Sequence, residues 1–156
     1  MKLSELLPES AVRLDMDGRD KWEILSELTD ALVTSEQVDG AHREVVHEAV
    51  IIREKSMSTG MERGIAIPHT SLSAVGQTSV ALGISRQGID FEAIDGKSTH
   101  LVILLVNPSE GTKAHIRTLA EIARLLSNAD LRAALRDAAT STEALDLIRD
   151  AEATVA

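Results

Sequence analysis

A chain of 156 residues with 16 basic and 25 acidic side chains, and hence a formal charge of -9, has room for one hydrophobic core but not for two ordinary domains. The acidic surplus, with no block of Lys and Arg, argues against a nucleic-acid partner held through its phosphate backbone and favours basic protein partners. Without cysteine there is no disulfide, thiolate zinc site or cysteine nucleophile, so covalent chemistry of that kind falls to the histidines.

The opening residues, MKLSELLPES, are of mixed polarity and lack the apolar run of a signal peptide. The longest apolar stretch, Leu101 to Val106, is far too short to span a bilayer. The expectation is one domain over residues 1–156, its core over about 4–152, working in the cytoplasm without membrane insertion.

The first clear helix follows Asp20, an N-cap with Glu23 three residues on, and Leu25, Leu28 and Leu32 recur at helical spacing. A second helix is predicted over about 41–54, with Val45, Val46, Ala49 and Ile52 as its buried stripe and Arg53 near its end. A loop rich in Ser, Thr and Gly, residues 55–64, then leads into Ile65-Ala66-Ile67, a short apolar strand stopped by Pro68. His69 is thereby placed at a strand end.

Two further strands follow: residues 80–84, with larger side chains at period two, and 101–106, apolar enough to be buried on both faces. Asn107-Pro108 ends the second of them. Thr112 is then the predicted cap of a helix whose Ile116, Leu119, Ala120 and Ala123 form an inward stripe, with His115 in its first turn. Helices over about 130–137 and 141–150 close the chain, the last preceded by a Thr140-x-x-Glu143 capping pattern. Strands alternating with helices make this an α/β chain with a sheet covered by helices.

The chemistry concentrates in residues 53–70. Gly60 and Gly64 allow tight turns and close backbone approach, Ser58 and Thr59 offer hydroxyl donors, and Arg53 offers a guanidinium fork suited to phosphate oxygens. Together with His69 these residues read as an anion site built around a histidine. An imidazole with a pKa near 6.5 keeps a neutral, nucleophilic nitrogen near neutral pH, which suits phosphoryl carriage. His115, near the positive end of a helix dipole, is the natural second member, its ring held neutral and donating one hydrogen bond. Taken singly, His69 also fits a polar residue at a strand end, His115 a surface histidine and Arg53 a solvated helix-end charge. His42 and His47, five apart on one helix, point about 140° apart and cannot share a metal. His100 falls by the sheet edge without a chemical role.

The run from Arg53 to Thr70 resembles the active-site signature of the fructose/mannitol-type EIIA domains of the bacterial sugar phosphotransferase system, including the nitrogen-regulatory branch. The family pattern is close to R-E-x-x-x-S-T-G-I-G-N-G-I-A-I-P-H, and the likeness continues through Asp95-Gly96, the strand from His100 to Val106 and the Pro108 loop leading to His115. It implies a mixed five-stranded sheet flanked by helices on both faces. It also implies that His69 is the phosphoryl acceptor, that Arg53 stabilises the phosphate charge, and that His115 steadies the phosphoryl group.

By the same resemblance the donor is HPr or its nitrogen-branch counterpart, and the acceptor is an EIIB protein or a regulatory target. Neither metal nor organic cofactor is required. Met61, Glu62 and Arg63 stand where the family pattern has Ile, Gly and Asn; a carboxylate at 62 repels a phosphoryl group unless it faces away or pairs with Arg63 or Arg53. The alternative reading is a regulatory binding module of the same fold that is not phosphorylated.

Overall fold

The computed structural model describes residues 2–155. A short helix α1 (Leu3–Leu6), strand β1 (Val12–Arg13), helices α2 (Lys21–Thr34) and α3 (Arg43–Ser56), and strands β2 (Ile65–Ala66) and β3 (His69–Ser71) come first. Strands β4 (Ser79–Ile89) and β5 (Thr99–Asn107) and helices α4 (Thr112–Leu125), α5 (Ala129–Arg136) and α6 (Ser141–Val155) complete the chain. Elements as short as α1 and β1 offer too few residues for a period to show in the sequence.

The sheet is mixed and five-stranded, in the order β1-β4-β5-β2, with β3 also paired to β5. β4 and β5 run antiparallel; β1 is parallel to β4, and β2 and β3 are parallel to β5. β2 and β3 lie end to end against one neighbour, Ile65 opposite Leu101 and His69 opposite Leu105. Between them Pro68 has no N–H to give to a ladder, although its carbonyl accepts the N–H of Leu105 at 2.9 Å. His69 therefore opens a new strand segment after the break instead of ending the old one. Every side chain from Leu101 to Val106 is buried, so β5 is covered on both faces, and α2 and α5 both pack on β4 and β5.

Helix α2 follows its sequence closely. The Asp20 side chain accepts the Glu23 N–H at 2.9 Å, and Ile24, Leu25, Leu28 and Leu32 are fully buried. Helix α3 departs from expectation: Val46 is buried, but Val45 and Ile52 are 46% and 61% exposed. The inward row is Val46, Val50 and Glu54, spaced by four, so a carboxylate completes a hydrophobic stripe.

Helix α4 departs in a similar way. Its N-cap is Gly111, left-handed at φ 83°, with no capping side chain, so Thr112 is the first helical residue and not the cap. Ile122 and Leu125 are the residues it buries, whereas Ile116 is 62% exposed, Ala120 is exposed, and Leu119 and Ala123 are half-buried. Asn128 caps α5 through the N–H groups of Asp130 and Leu131. Ahead of α6, Thr140 accepts the Glu143 N–H at 3.1 Å and the Glu143 carboxylate returns to the Ala139 N–H at 3.0 Å. Among the described residues no helix is long and apolar enough to cross a membrane.

Candidate functional site

The end of α3, the loop after it, the β2–β3 edge and one face of α4 meet around His69. Arg53 and Glu54 occupy the last turn of α3, whose carbonyls have no helical partners. Side chains supply them: Ser56 donates to the Arg53 carbonyl at 2.7 Å, and Arg53 Nη1 donates to the Met57 carbonyl at 3.1 Å. Arg53 forms no ion pair among the described residues, so its remaining N–H groups are open to an anion.

The loop turns back through Met61, whose N–H reaches the Ile65 carbonyl at 2.8 Å, and through two consecutive left-handed residues, Arg63 at φ 67° and Gly64 at φ 79°. An arginine rarely adopts that conformation. Here the Arg63 N–H donates to Asp95 at 3.1 Å, and Asp95 also accepts the Lys97 N–H at 3.0 Å. The Lys97 and Arg63 backbone bonds hold the Asp95 carboxyl below its ordinary range. Glu62 is exposed, forms no ion pair among the described residues, and does not line the groove that holds His69. Its carboxylate neither lines the groove nor pairs with Arg63 or Arg53.

His69 is half-buried, and its Nδ1 lies 2.8 Å from the Ile67 carbonyl. A carbonyl only accepts, so in the neutral ring Nδ1 carries the proton and donates it, and the lone pair resides on Nε2. The backbone two residues earlier thus selects which nitrogen is nucleophilic. Pro68 fixes the chain between donor and acceptor.

One groove gathers Arg53, Ser58, Thr59, Gly60 and His69, walled by Met61, Ile67, Ile94, Ile116 and Leu119. Ile94 and Ile116 are 78% and 62% exposed, so His69 sits within an apolar surface open to solvent. The α4 stripe expected to face the core forms one wall of this groove, with Leu119 and Ala123 also packed against the core and Ile116 and Ala120 exposed. His115 is half-buried in the first turn of α4, next to Ile116, and does not itself line the groove; its ring has no hydrogen-bond partner among the described residues.

The donors expected from Ser58, Thr59 and the Gly60 region serve the loop itself. Ser58 donates to the Phe91 carbonyl at 2.6 Å and accepts the Gly60 N–H at 3.2 Å. Thr59 gives its hydroxyl to Glu54 at 2.6 Å and its N–H to the same carboxylate at 2.9 Å. A Cβ on Gly60 would stand 2.6 Å from the Phe91 carbonyl, so glycine is needed there for close approach to the 91–93 segment. Glu54 is hidden in the sequence because a charged residue at a helix end ordinarily faces water. Its signal was the four-residue spacing from Val46 and Val50. Among the described residues no three His, Asp or Glu side chains are grouped to share a metal ion.

Comparison with known proteins identifies the family and the fold. The profile of the phosphoenolpyruvate-dependent sugar phosphotransferase system, EIIA 2, matches residues 5–151. The fructose-specific EIIABC component of Bacillus subtilis is 30% identical over 95% of this chain, which spans 23% of that longer protein. The crystal structure of the nitrogen regulatory protein IIA-Ntr from Neisseria meningitidis superposes with a TM-score of 0.84 at 29% identity, covering 94% of this chain and 98% of that one. The enzyme IIAMtl of Escherichia coli, solved in complex with phosphorylated enzyme IIBMtl, shares the fold with a TM-score of 0.76 at 21% identity, covering 93% of this chain and 99% of that one. With a signature site on the expected fold and a family match over nearly its whole length, this chain belongs to the EIIA 2 family of the phosphoenolpyruvate-dependent sugar phosphotransferase system.

Proposed function

We propose that the protein is a phosphocarrier that accepts a phosphoryl group on Nε2 of His69 from a phosphohistidine donor, HPr or its nitrogen-branch counterpart. It then passes the group to an EIIB protein, or retains it as a charge switch toward a regulatory target, in the cytoplasm. The observation that carries this reading is the Nδ1–H donated to the Ile67 carbonyl at 2.8 Å, which leaves a lone pair on Nε2 of a histidine inside an open groove.

Nε2 attacks phosphorus in line with the donor's N–P bond. A new N–P bond forms as the old one breaks, and the donor imidazole leaves with the electron pair. The His69 ring keeps its Nδ1 proton throughout, and the Ile67 carbonyl stabilises the positive charge developing on the ring. The open N–H groups of Arg53 compensate the phosphoryl oxygens, and His115, outside the groove before phosphorylation, turns in from α4 to donate a further hydrogen bond. Ser58, Thr59 and Gly60 shape the loop: the two hydroxyls and the N–H groups of Thr59 and Gly60 are engaged within it before phosphorylation.

Nitrogen-15 and phosphorus-31 spectroscopy of the phosphorylated protein tests the assignment: coupling through Nε2 of His69 is expected, and coupling through Nδ1 or another residue overturns it. His115→Ala is expected to accept the group but to pass it on about 10- to 100-fold more slowly, read by rapid-quench transfer to EIIB.

A further inference from the structure

Beneath the groove lies a buried charge cluster that the transfer chemistry leaves unused. Glu54 and Lys21 are 2% and 4% exposed. Glu54 accepts the Lys21 ammonium at 3.2 Å, the Thr59 N–H at 2.9 Å and the Thr59 hydroxyl at 2.6 Å, so both of its oxygens are engaged. Lys21 Nζ also donates to Glu92 at 2.7 Å and lies 4.8 Å from the Trp22 ring centroid. Burial alone would push the Lys21 ammonium toward its neutral form, but the hydrogen bonds to Glu92 and Glu54 outweigh burial and hold it above its ordinary value.

Stability is a weak reason for this arrangement. Lys21 occupies the first turn of α2, where the helix dipole disfavours a cation, and a buried ion pair is commonly no more stabilising than apolar side chains of the same volume. What the cluster does provide is a connection. The Thr59 carbonyl accepts the Ile67 N–H at 3.4 Å, Gly60 bridges to Ala66, and the Ile67 carbonyl accepts His69 Nδ1–H at 2.8 Å. The path Lys21, Glu54, Thr59, Ile67, His69 is hydrogen-bonded at each link. A second arm runs through Glu92, whose neighbour Phe91 accepts the Ser58 hydroxyl.

We propose that Lys21 is a positioning residue for phosphoryl transfer: through Glu54 and Thr59 it holds the carbonyl of Ile67 in the place that sets the tautomer and orientation of the His69 ring. This rests on His69 being the acceptor. Lys21→Met removes the ammonium, Lys21→Arg retains a cation, and Thr59→Val removes only the hydroxyl that binds Glu54.

The test measures the transfer rate at saturating phosphorylated HPr, the donor KM, and the nitrogen-15 shifts of the unphosphorylated His69 ring. Folded Lys21→Met is expected to lose about 10- to 100-fold in rate with KM unchanged, and its ring shifts to move toward a mixture of tautomers. Lys21→Arg should restore most of the rate. Thr59→Val should show the same ring shifts, and combining it with Lys21→Met should add little further loss. Wild-type rate and ring shifts in Lys21→Met, or in Thr59→Val should the lysine variant not fold, would overturn the positioning role. Failure of the wild-type protein to take phosphoryl would instead sink the acceptor assignment, while the ring shifts still report whether Lys21 reaches His69.

Discussion

His69 illustrates how little of a site needs to be unusual. The role proposed for it needs only one carbonyl, two residues back, to fix one proton. A second histidine shows the opposite use of burial. His47, half-buried on α3, has an Nε2 without a partner among the described residues, and burial, helped by the charge of Arg43, pushes its pKa below the ordinary 6.5. The folded chain therefore prefers the neutral ring, and the unfolded chain binds more protons as the pH falls. The stability due to neutral His47 is fully present above about pH 6.5 and is lost as the pH falls through the lower folded value. Urea titrations between neutral pH and pH 5 are expected to show that decline in the wild type and a flatter profile in His47→Leu. Parallel profiles would remove the assignment to His47.

At the scale of elements, two helices carry apolar residues that the sequence alone assigns to the core and the structure assigns to solvent. Hydrophobic period fixes the presence of α3 and α4, but it cannot say which of two neighbouring stripes faces inward. On α4 the row Ile116, Leu119, Ala120, Ala123 becomes a groove wall, while Ile122 and Leu125 carry the packing. Ile122→Ala, at 2% exposure, is thus expected to cost about 2–5 kcal/mol in chemical denaturation. Ile116→Ala, at 62% exposure, should stay within about 0.5 kcal/mol of wild type. Equal losses would return Ile116 to the core. The strands were more legible: β5 is six consecutive buried apolar residues, and β4 alternates large and small side chains from Val80 to Ile84, all of them buried. The Lys21–Glu54 pair was not legible, because nothing in two charged residues 33 positions apart shows that their helices bring them together.

Across the whole molecule the mixed sheet brings distant segments to one edge. Arg53 at the end of α3, the loop through Gly60 and the His69 edge strand are contiguous in sequence and were recognisable together. Ile94 and the α4 wall join them only because β4 and β5 carry the chain across the sheet and back. The result is a histidine in an apolar, solvent-open patch on an acidic molecule, a surface suited to docking another protein. The central claim is that His69 carries that group. Its most direct test is the intact mass after incubation with phosphoenolpyruvate, Enzyme I and HPr or the nitrogen-branch counterparts. A gain of about 80 Da, labile to acid, is predicted for the wild type and for His115→Ala but not for His69→Ala; the same gain in His69→Ala, or none in the wild type with either donor set, would contradict it.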